Sequence, residues 1–156
     1  VHAGLRALGS LRMEKGYRDY GHDLDNTDDP YETGLGFAVD LKKPDGFIGK
    51  EALLERKAKG PLQRRLVSIL VKHPEPQMFH AEIVRRDGKA VGYVRAASYG
   101  HTLGGAVGLA FLEPKQPVDD AYLTSGTWEV EIAGQLYPCA VSARSLYDPR
   151  SERTKM

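Results

Sequence analysis

Residues 82–94, EIVRRDGKAVGYV, contain the clearest fold signal in the chain. Asp87-Gly88 stands between two strand-like segments, 82–86 and 90–96. This dipeptide favours a tight hairpin turn, because both turn positions need a positive φ. The stretch therefore predicts two antiparallel strands joined by a two-residue turn.

Further strand-like segments surround this hairpin and are separated by turn residues, with no helical periodicity between them. Together with the hairpin they make six predicted strands: 66–71, 82–86, 90–96, 106–112, 127–133 and 136–142. Short strands in hairpin succession are typical of a small antiparallel barrel or sandwich. The pattern alone leaves both architectures open.

The first 60 residues have a different sequence pattern, with two predicted helices. Residues 5–17 have a roughly helical spacing of apolar side chains, with Gly16 as the predicted helix end. Residues 20–30 are rich in Asp and predict a loop, residues 35–41 alternate like a short strand, and residues 49–59 predict a second helix. The predicted fold class is α+β, with an N-terminal helix-strand-helix segment followed by the β structure.

Composition limits the classes of function. The chain has 156 residues, 41% of them hydrophobic, 22 Lys and Arg against 21 Asp and Glu, and a net charge of +1. Such a balance predicts neither nucleic-acid nor anionic-membrane partners, and no apolar run approaches the roughly 20 residues of a membrane span. The single Cys139 forms no internal disulfide and fits a reducing compartment. The start, Val1-His2-Ala3, indicates a segment of a longer polypeptide.

Residues 11–23 are the densest candidate site, since carboxylates, bases, phenols and an imidazole meet there at a helix end. On composition alone, a solvated helix face is the commoner explanation. Glu14 is the exception, because a carboxylate in the last helical turn faces the negative end of the helix dipole. A heterocycle that donates two N–H groups to a buried Glu14 would offset this cost.

Other candidate sites have weaker support. His22 lies beside Asp23 but lacks a nucleophile at a recognisable spacing, and a surface-turn histidine is the preferred interpretation. The acidic residues 23–29 lack the calcium-loop spacing, so no metal site is predicted. Residues 100–105, GHTLGG, are interpreted as a turn between strands, and Cys139 as a small core residue. No catalytic residue is predicted.

Several motifs resemble the glycine-cleavage T-protein family, most closely the folate-binding C-terminal part of dimethylglycine and sarcosine dehydrogenases and oxidases. They are ALGSLRMEKGYR at 7–18, FIGKEAL at 47–53, DGKAVGYV at 87–94 and LYDP at 146–149. The resemblance covers nearly the whole chain and implies a six-stranded antiparallel β-barrel. It implies that residues 1–60 end a folate-binding domain, 61–144 form the barrel and 145–156 a tail.

The same resemblance implies a partial tetrahydrofolate site. Glu14 would bind the pterin ring, Tyr17 and Arg18 would line the same pocket, and Lys43 would reach the folate tail. Lys43 replaces the arginine of the T-proteins, which exchanges a forked contact for a point charge. The implied partners are folate, a small methylated amine and the upstream portion of the same polypeptide.

Two expected parts of the family are missing from the sequence. The catalytic aspartate and the FAD-binding domain would both precede Val1, and no glycine-rich dinucleotide fingerprint is present. We therefore expect FAD only in an upstream domain, and this segment alone to be inactive. The location would be cytoplasmic in a bacterium and the mitochondrial matrix in a eukaryote.

Four functions follow as hypotheses, three from the resemblance and one from periodicity alone. The first is the C-terminal segment of a FAD-dependent dimethylglycine or sarcosine dehydrogenase-like enzyme, whose tetrahydrofolate site accepts a one-carbon unit from an N-methyl amine. The second is part of a stand-alone glycine-cleavage aminomethyltransferase. The third is a non-catalytic regulatory module of the same fold, and a β-barrel binding module unrelated to folate is the interpretation from periodicity alone.

Overall fold

A computed structural model describes residues 2–156. In these residues two α-helices come first, four strands follow, and a short third α-helix precedes the last two strands. The helices are α1 (Leu5–Lys15), α2 (Lys50–Ala58) and α3 (Asp120–Thr124). The strands are β1 (Arg65–Val71), β2 (Ile83–Arg86), β3 (Lys89–Gly100), β4 (Gly105–Leu112), β5 (Trp128–Ile132) and β6 (Gln135–Ser142).

The six strands form a closed antiparallel barrel in the order β1-β4-β3-β2-β5-β6. The last strand closes the barrel against the first, with Ile69 opposite Val141. Closure leaves no strand edge unpaired, which is how small all-β domains avoid edge association. The predicted α+β class and six-stranded antiparallel barrel are confirmed.

The predicted hairpin is present between β2 and β3. Asp87 and Gly88 have φ values of 50° and 75°, as the turn requires. Asp87 also binds the start of β5, because its carboxylate accepts a hydrogen bond of 2.8 Å from the backbone N–H of Thr127. The turn thus connects three neighbouring strands of the barrel.

Strand β4 is buried along its whole length. Alternate side chains belong to two clusters, because successive residues of a strand point to opposite faces. Ala106, Ala110 and Leu112 belong to the barrel interior. Val107, Leu109 and Phe111 belong to a second cluster that includes Met13 of α1. The continuous apolar sequence of β4 is therefore the signature of a strand covered on both faces.

Helix α1 ends where the sequence predicts. Gly16 adopts the left-handed conformation (φ 65°) and its N–H bonds back to the helix. Met13 is buried, yet Leu5, Leu8 and Leu11 are exposed. The apolar side of α1 is thus only partly covered by residues 2–156.

The expected strand at residues 35–41 is absent, and this prediction was wrong. Gly36–Ala38 form one 3-10 turn, and the backbone N–H of Ala38 bonds to the Leu35 carbonyl at 2.9 Å. Phe37 is 87% exposed. Alternation alone does not make a strand, since a strand needs a neighbour to accept its hydrogen bonds.

The sequence pattern did not predict α3, a short helix between β4 and β5. The Asp119 carboxylate caps it by accepting a 2.7 Å hydrogen bond from the Tyr122 N–H.

The polar sequence of residues 148–156 predicts a loose tail. Instead, Asp148 is anchored, because its carboxylate accepts a 3.0 Å hydrogen bond from Lys15 Nζ.

Ion pairs connect residues 28–32 to α2 and to Arg64, the residue before β1. Arg56 contacts Asp29 and Glu32 at 2.8 and 2.6 Å, and Arg64 contacts Asp28 at 2.6 Å. The Arg64 guanidinium also stacks 3.7 Å from the centre of the Phe111 ring. These contacts hold residues 28–32 against the barrel.

Candidate functional site

Glu14 is a buried carboxylate at the junction of α1 and the barrel, with only 2% of its surface exposed. Its Oε1 accepts hydrogen bonds from the backbone N–H groups of Thr102 at 2.7 Å and Leu103 at 3.0 Å. Both donors belong to the turn between β3 and β4. No described residue donates a hydrogen bond to Oε2.

Neighbouring contacts fix α1 in this position. The Ser10 hydroxyl, one turn before Glu14, donates a 2.6 Å hydrogen bond to the Tyr99 carbonyl of β3. Met13 inserts into the second core cluster. The polar and apolar contacts together place the last turn of α1 over the end of β3.

Glu14 helps to line a cavity of about 670 Å³, which we call the first cavity. Its walls come from four parts of the chain: α1, the loop before β2, the end of β3 with the turn that follows, and Ala106 of β4. Representative lining residues are Arg6, Ser10, Glu14, Gln77, Phe79, Tyr99 and His101. The cavity therefore combines a buried carboxylate with apolar and aromatic walls, the usual make-up of a small-molecule site.

Tyr17 and Arg18 line a second cavity, of about 770 Å³, instead of the Glu14 cavity. Lys15, Tyr20, Phe37 and Arg144 contribute to the same wall. Glu14 is therefore separated from Tyr17 and Arg18, because the two groups line different cavities. The folate-binding roles of Tyr17 and Arg18 remain predictions.

The Arg18 guanidinium is partly engaged by the backbone. Its Nε donates a 3.0 Å hydrogen bond to the Thr33 carbonyl, and its Nη1 donates to the Gly16 carbonyl. Burial lowers the pKa of Arg18, while the Asp23 carboxylate opposes this shift. These bonds show that Arg18 also supports the loop after α1.

Lys43 is exposed and lines neither cavity within residues 2–156. Its carbonyl accepts a 3.3 Å hydrogen bond from Lys50 Nζ at the start of α2. Lys43 thus does not share a cavity lining with Glu14 or with Tyr17 and Arg18. Its contact with the folate tail remains a prediction.

Sequence reasoning missed the two backbone donors to Glu14. Residues 100–105 were interpreted as a turn between strands, which is confirmed, but the turn's contact with Glu14 was not foreseen. Thr102 lies 88 positions from Glu14. A backbone N–H carries no side-chain signature, so the sequence offers no signal for this contact.

The remaining candidates do not form a second reactive centre. The His22 ring is mostly exposed, with its Nδ1 3.2 Å from the Asp23 carboxylate. No group of acidic, His or Cys side chains among residues 2–156 is arranged to hold a metal ion. In the same residues, no helix is long and apolar enough to cross a membrane. Cys139 is buried in the barrel interior, as expected for a core residue.

Sequence comparison finds relatives among oxidases, dehydrogenases and aminomethyltransferases. It is 48% identical to 4-methylaminobutanoate oxidase (formaldehyde-forming) of Paenarthrobacter nicotinovorans, over 98% of this chain and 18% of that protein. It is 38% identical to mitochondrial sarcosine dehydrogenase of Mus musculus, over 99% of this chain and 17% of that protein. An aminomethyltransferase of Nostoc sp. is 36% identical over 94% of this chain and 37% of its own length. The chain thus spans less than a fifth of the first two relatives.

A solved structure has the same fold as this chain. The crystal structure of glycine cleavage system aminomethyltransferase T from Bartonella henselae superposes with a TM-score of 0.74 and 24% identity, over 92% of this chain and 38% of that one. The family model for the glycine cleavage T-protein C-terminal barrel domain matches residues 64–148, and the GCVT N-terminal domain model matches residues 1–43. Since the barrel-domain match alone covers more than half of the sequence, the chain belongs to the glycine cleavage T-protein family.

Proposed function

We propose that this chain supplies part of a tetrahydrofolate site in a FAD-dependent enzyme resembling dimethylglycine and sarcosine dehydrogenases. The observation that carries the proposal is the buried Glu14 carboxylate, whose Oε2 has no partner among the described residues and which lines the first cavity. Oε2 therefore keeps its full capacity to accept hydrogen bonds, so a ligand with N–H donors fits this position.

The aminopyrimidinone edge of tetrahydrofolate has the required chemistry. It presents a ring N–H and an exocyclic N–H side by side, and a carboxylate accepts such donors strongly. In this role Glu14 orients the pterin, and the apolar and aromatic walls of the first cavity exclude water from the ring. Tyr17 and Arg18 then act from the second cavity, and Lys43 contacts the folate tail as a point charge.

The relatives' names support an N-methylated amino acid as the substrate class. Sarcosine, dimethylglycine and 4-methylaminobutanoate all carry an N-methyl group. In the proposed reaction FAD accepts two electrons from the methylated amine, and tetrahydrofolate takes up the released carbon as 5,10-methylenetetrahydrofolate. The described residues form a hairpin-connected antiparallel barrel, unlike the strand-turn-helix unit that holds a dinucleotide, so FAD is assigned to another part of the polypeptide.

The proposal includes a division of the chain. Residues 1–60 are the end of a folate-binding domain, residues 61–144 the barrel domain and residues 145–156 a C-terminal tail. The family-model matches to 1–43 and 64–148 support this division. The exposed Leu5, Leu8 and Leu11 on α1 support it too, because a stripe of leucines normally packs against further protein. The proposed location is the cytoplasm in bacteria and the mitochondrial matrix in eukaryotes.

A stand-alone aminomethyltransferase is the second candidate, supported by the 36% identical Nostoc relative. The two candidates differ in flavin content. The full-length natural polypeptide should show flavin absorbance near 450 nm only if it is the dehydrogenase-like enzyme. Folate binding without flavin would favour the aminomethyltransferase.

The test of the folate site is calorimetric titration of tetrahydrofolate into the full-length natural polypeptide under anaerobic conditions. We expect Glu14→Ala to weaken binding by about tenfold or more, from the loss of charged hydrogen bonds. Glu55→Ala is the matched control, because Glu55 is an exposed carboxylate on α2. Equal affinities for wild type and Glu14→Ala would contradict the proposal.

A further inference from the structure

We propose that the turn of residues 100–105 positions Glu14, by holding Oε1 and leaving Oε2 as the oxygen offered to the ligand. The inference rests on the proposed folate site. It assigns a function to Gly100 and to the backbone N–H groups of Thr102 and Leu103.

The hydrogen bonds of the turn support this role. The N–H groups of Thr102 and Leu103 converge on the same carboxylate oxygen, at 2.7 and 3.0 Å. The turn is itself closed by a 2.7 Å hydrogen bond from the Gly104 N–H to the Gly100 carbonyl. Two charge-assisted bonds from one rigid turn fix both the position and the rotation of the carboxylate.

Gly100 provides the space that the carboxylate occupies. A Cβ at this position would lie 3.1 Å from Glu14 Oε1, 3.3 Å from Glu14 Cγ and 3.0 Å from Val107 Cγ1. These separations are shorter than ordinary van der Waals contacts, so a side chain at position 100 would push Glu14 away. A glycine here permits the close approach of α1 to the turn.

The arrangement determines which oxygen meets the ligand. An oxygen that already accepts two hydrogen bonds has little remaining capacity, whereas Oε2 keeps both of its lone pairs. The donors of the pterin edge therefore converge on Oε2. This differs from a symmetric fork in which each oxygen accepts one ligand N–H.

A double-mutant cycle on the full-length natural polypeptide tests the positioning role. The dissociation constant for tetrahydrofolate is measured by calorimetry for wild type, Gly100→Ala, Glu14→Ala and the double variant. We expect Gly100→Ala alone to weaken binding by about fivefold to tenfold, the loss of roughly one hydrogen bond. In the Glu14→Ala background the same change should not weaken binding further, because the carboxylate that it would displace is absent.

Circular dichroism and thermal unfolding identify variants that have lost the fold. Gly36→Ala is the matched control, since its Cβ would lie 2.9 Å from Tyr31 Cδ1, a similarly close approach away from Glu14. It should leave the affinity for tetrahydrofolate unchanged. If Gly100→Ala does not fold, Thr102→Pro replaces it in the cycle, because proline removes the shorter of the two N–H bonds to Oε1.

The outcomes separate the two proposals. Equal weakening by the position-100 change in both backgrounds, or no weakening by it while Glu14→Ala weakens binding, would overturn the positioning role and leave the folate site intact. No effect of Glu14→Ala would overturn the folate site and remove the basis of this inference. A loss of the Gly100→Ala effect in the Glu14→Ala background supports both the folate site and the positioning role.

Discussion

The Arg12 guanidinium forms an ion pair with the carboxylate of Asp23, a side chain that is completely buried. Asp23 Oδ2 also accepts a 2.8 Å hydrogen bond from the Asp19 N–H, and the Asp23 carbonyl accepts one of 3.2 Å from Arg95 Nε. The residue therefore joins the end of α1, the loop that follows it and strand β3. Arg12 also lines the first cavity, and Leu24, which follows Asp23, lines the second.

Replacing Asp23 with Ala should strongly destabilise the chain. The change leaves the Arg12 guanidinium, whose side chain is only 18% exposed, without its partner. We expect a loss of about 3 kcal/mol in the free energy of unfolding. This value is at the lower end of the range for a broken buried ion pair, because Arg12 retains some contact with solvent. Urea unfolding measures this loss.

Glu152→Ala is the control for Asp23→Ala. The Glu152 carboxylate lies 3.8 Å from Arg150 Nη1, and both side chains are mostly exposed. Its removal should leave the free energy of unfolding unchanged within error. Similar effects of the two substitutions would contradict the structural importance of the Arg12–Asp23 pair.

Lys15 should control the titration of Asp148. The hydrogen bond from Lys15 Nζ lowers the pKa of Asp148, with a smaller contribution from the Glu152 N–H. A lowered folded-state pKa stabilises the fold above the unfolded value of about 3.9, and this stabilisation is lost as the pH falls through the folded value. Lys15→Met should therefore raise the pKa of Asp148 and reduce the acid dependence of stability.

Carbon-13 NMR of the aspartate carboxyl groups would follow this titration. Lys59→Met is a suitable control, because Lys59 is exposed at the end of α2 and makes no ion pair among residues 2–156. An unchanged Asp148 titration in Lys15→Met would argue against the anchoring of the C-terminal segment to α1.

Cys139 should be chemically inert in the folded chain. Burial raises the pKa of its thiol to about 12, and Lys72 offsets this shift only in part. At pH 8 the folded protein should hold about a thousandfold less thiolate than an unfolded thiol of pKa near 9, so alkylation should be slow. Iodoacetamide labelling with and without urea, followed by mass spectrometry, measures the difference.

The same shift makes stability depend on alkaline pH. Below about pH 9 the thiol is protonated in both states, but above this value the unfolded chain loses its proton while the folded chain keeps it. Stability should therefore fall as the pH rises from about 9 towards 12, and Cys139→Ala should reduce this dependence. Rapid labelling of the native protein at pH 8 would refute the buried, neutral thiol.

Two glycines should respond oppositely to alanine. Gly9 lies inside α1 with open space around its Cβ position, so Gly9→Ala should stabilise the chain by about 0.5–1 kcal/mol. A Cβ at Gly92 would lie 2.0 Å from the Phe111 carbonyl oxygen, so Gly92→Ala should prevent the native pairing of β3 with β4. Urea unfolding and circular dichroism measure both effects, and a native-like Gly92→Ala protein would contradict this register.

Much of the barrel was predictable because its signals are local. The φ values at Asp87-Gly88, the alternation in β5 and the helix end at Gly16 each depend on residues close together in the chain. The strand predicted at 35–41 failed because no neighbouring strand pairs with it. Alternation describes a half-buried surface, whereas a strand also requires a partner.

The prediction of the candidate site was less complete. Glu14 was singled out from its unfavourable place in the last helical turn, and its carboxylate is indeed buried and hydrogen-bonded. The expected donors were those of a heterocycle, but two backbone N–H groups of the protein occupy Oε1. Tyr17 and Arg18 follow Glu14 closely in sequence, yet the left-handed turn at Gly16 directs them to a different cavity.

The amino-acid sequence by itself determined the hairpins, the two longer helices and the presence of an unusual glutamate, because short-range sterics and periodicity specify these features. The tertiary structure alone decided that β6 closes on β1, that α1 covers the outer face of β4, and that residues 100–105 hold Glu14. These contacts join residues far apart in the chain, and they form only when burial of the barrel's apolar faces brings the distant segments together.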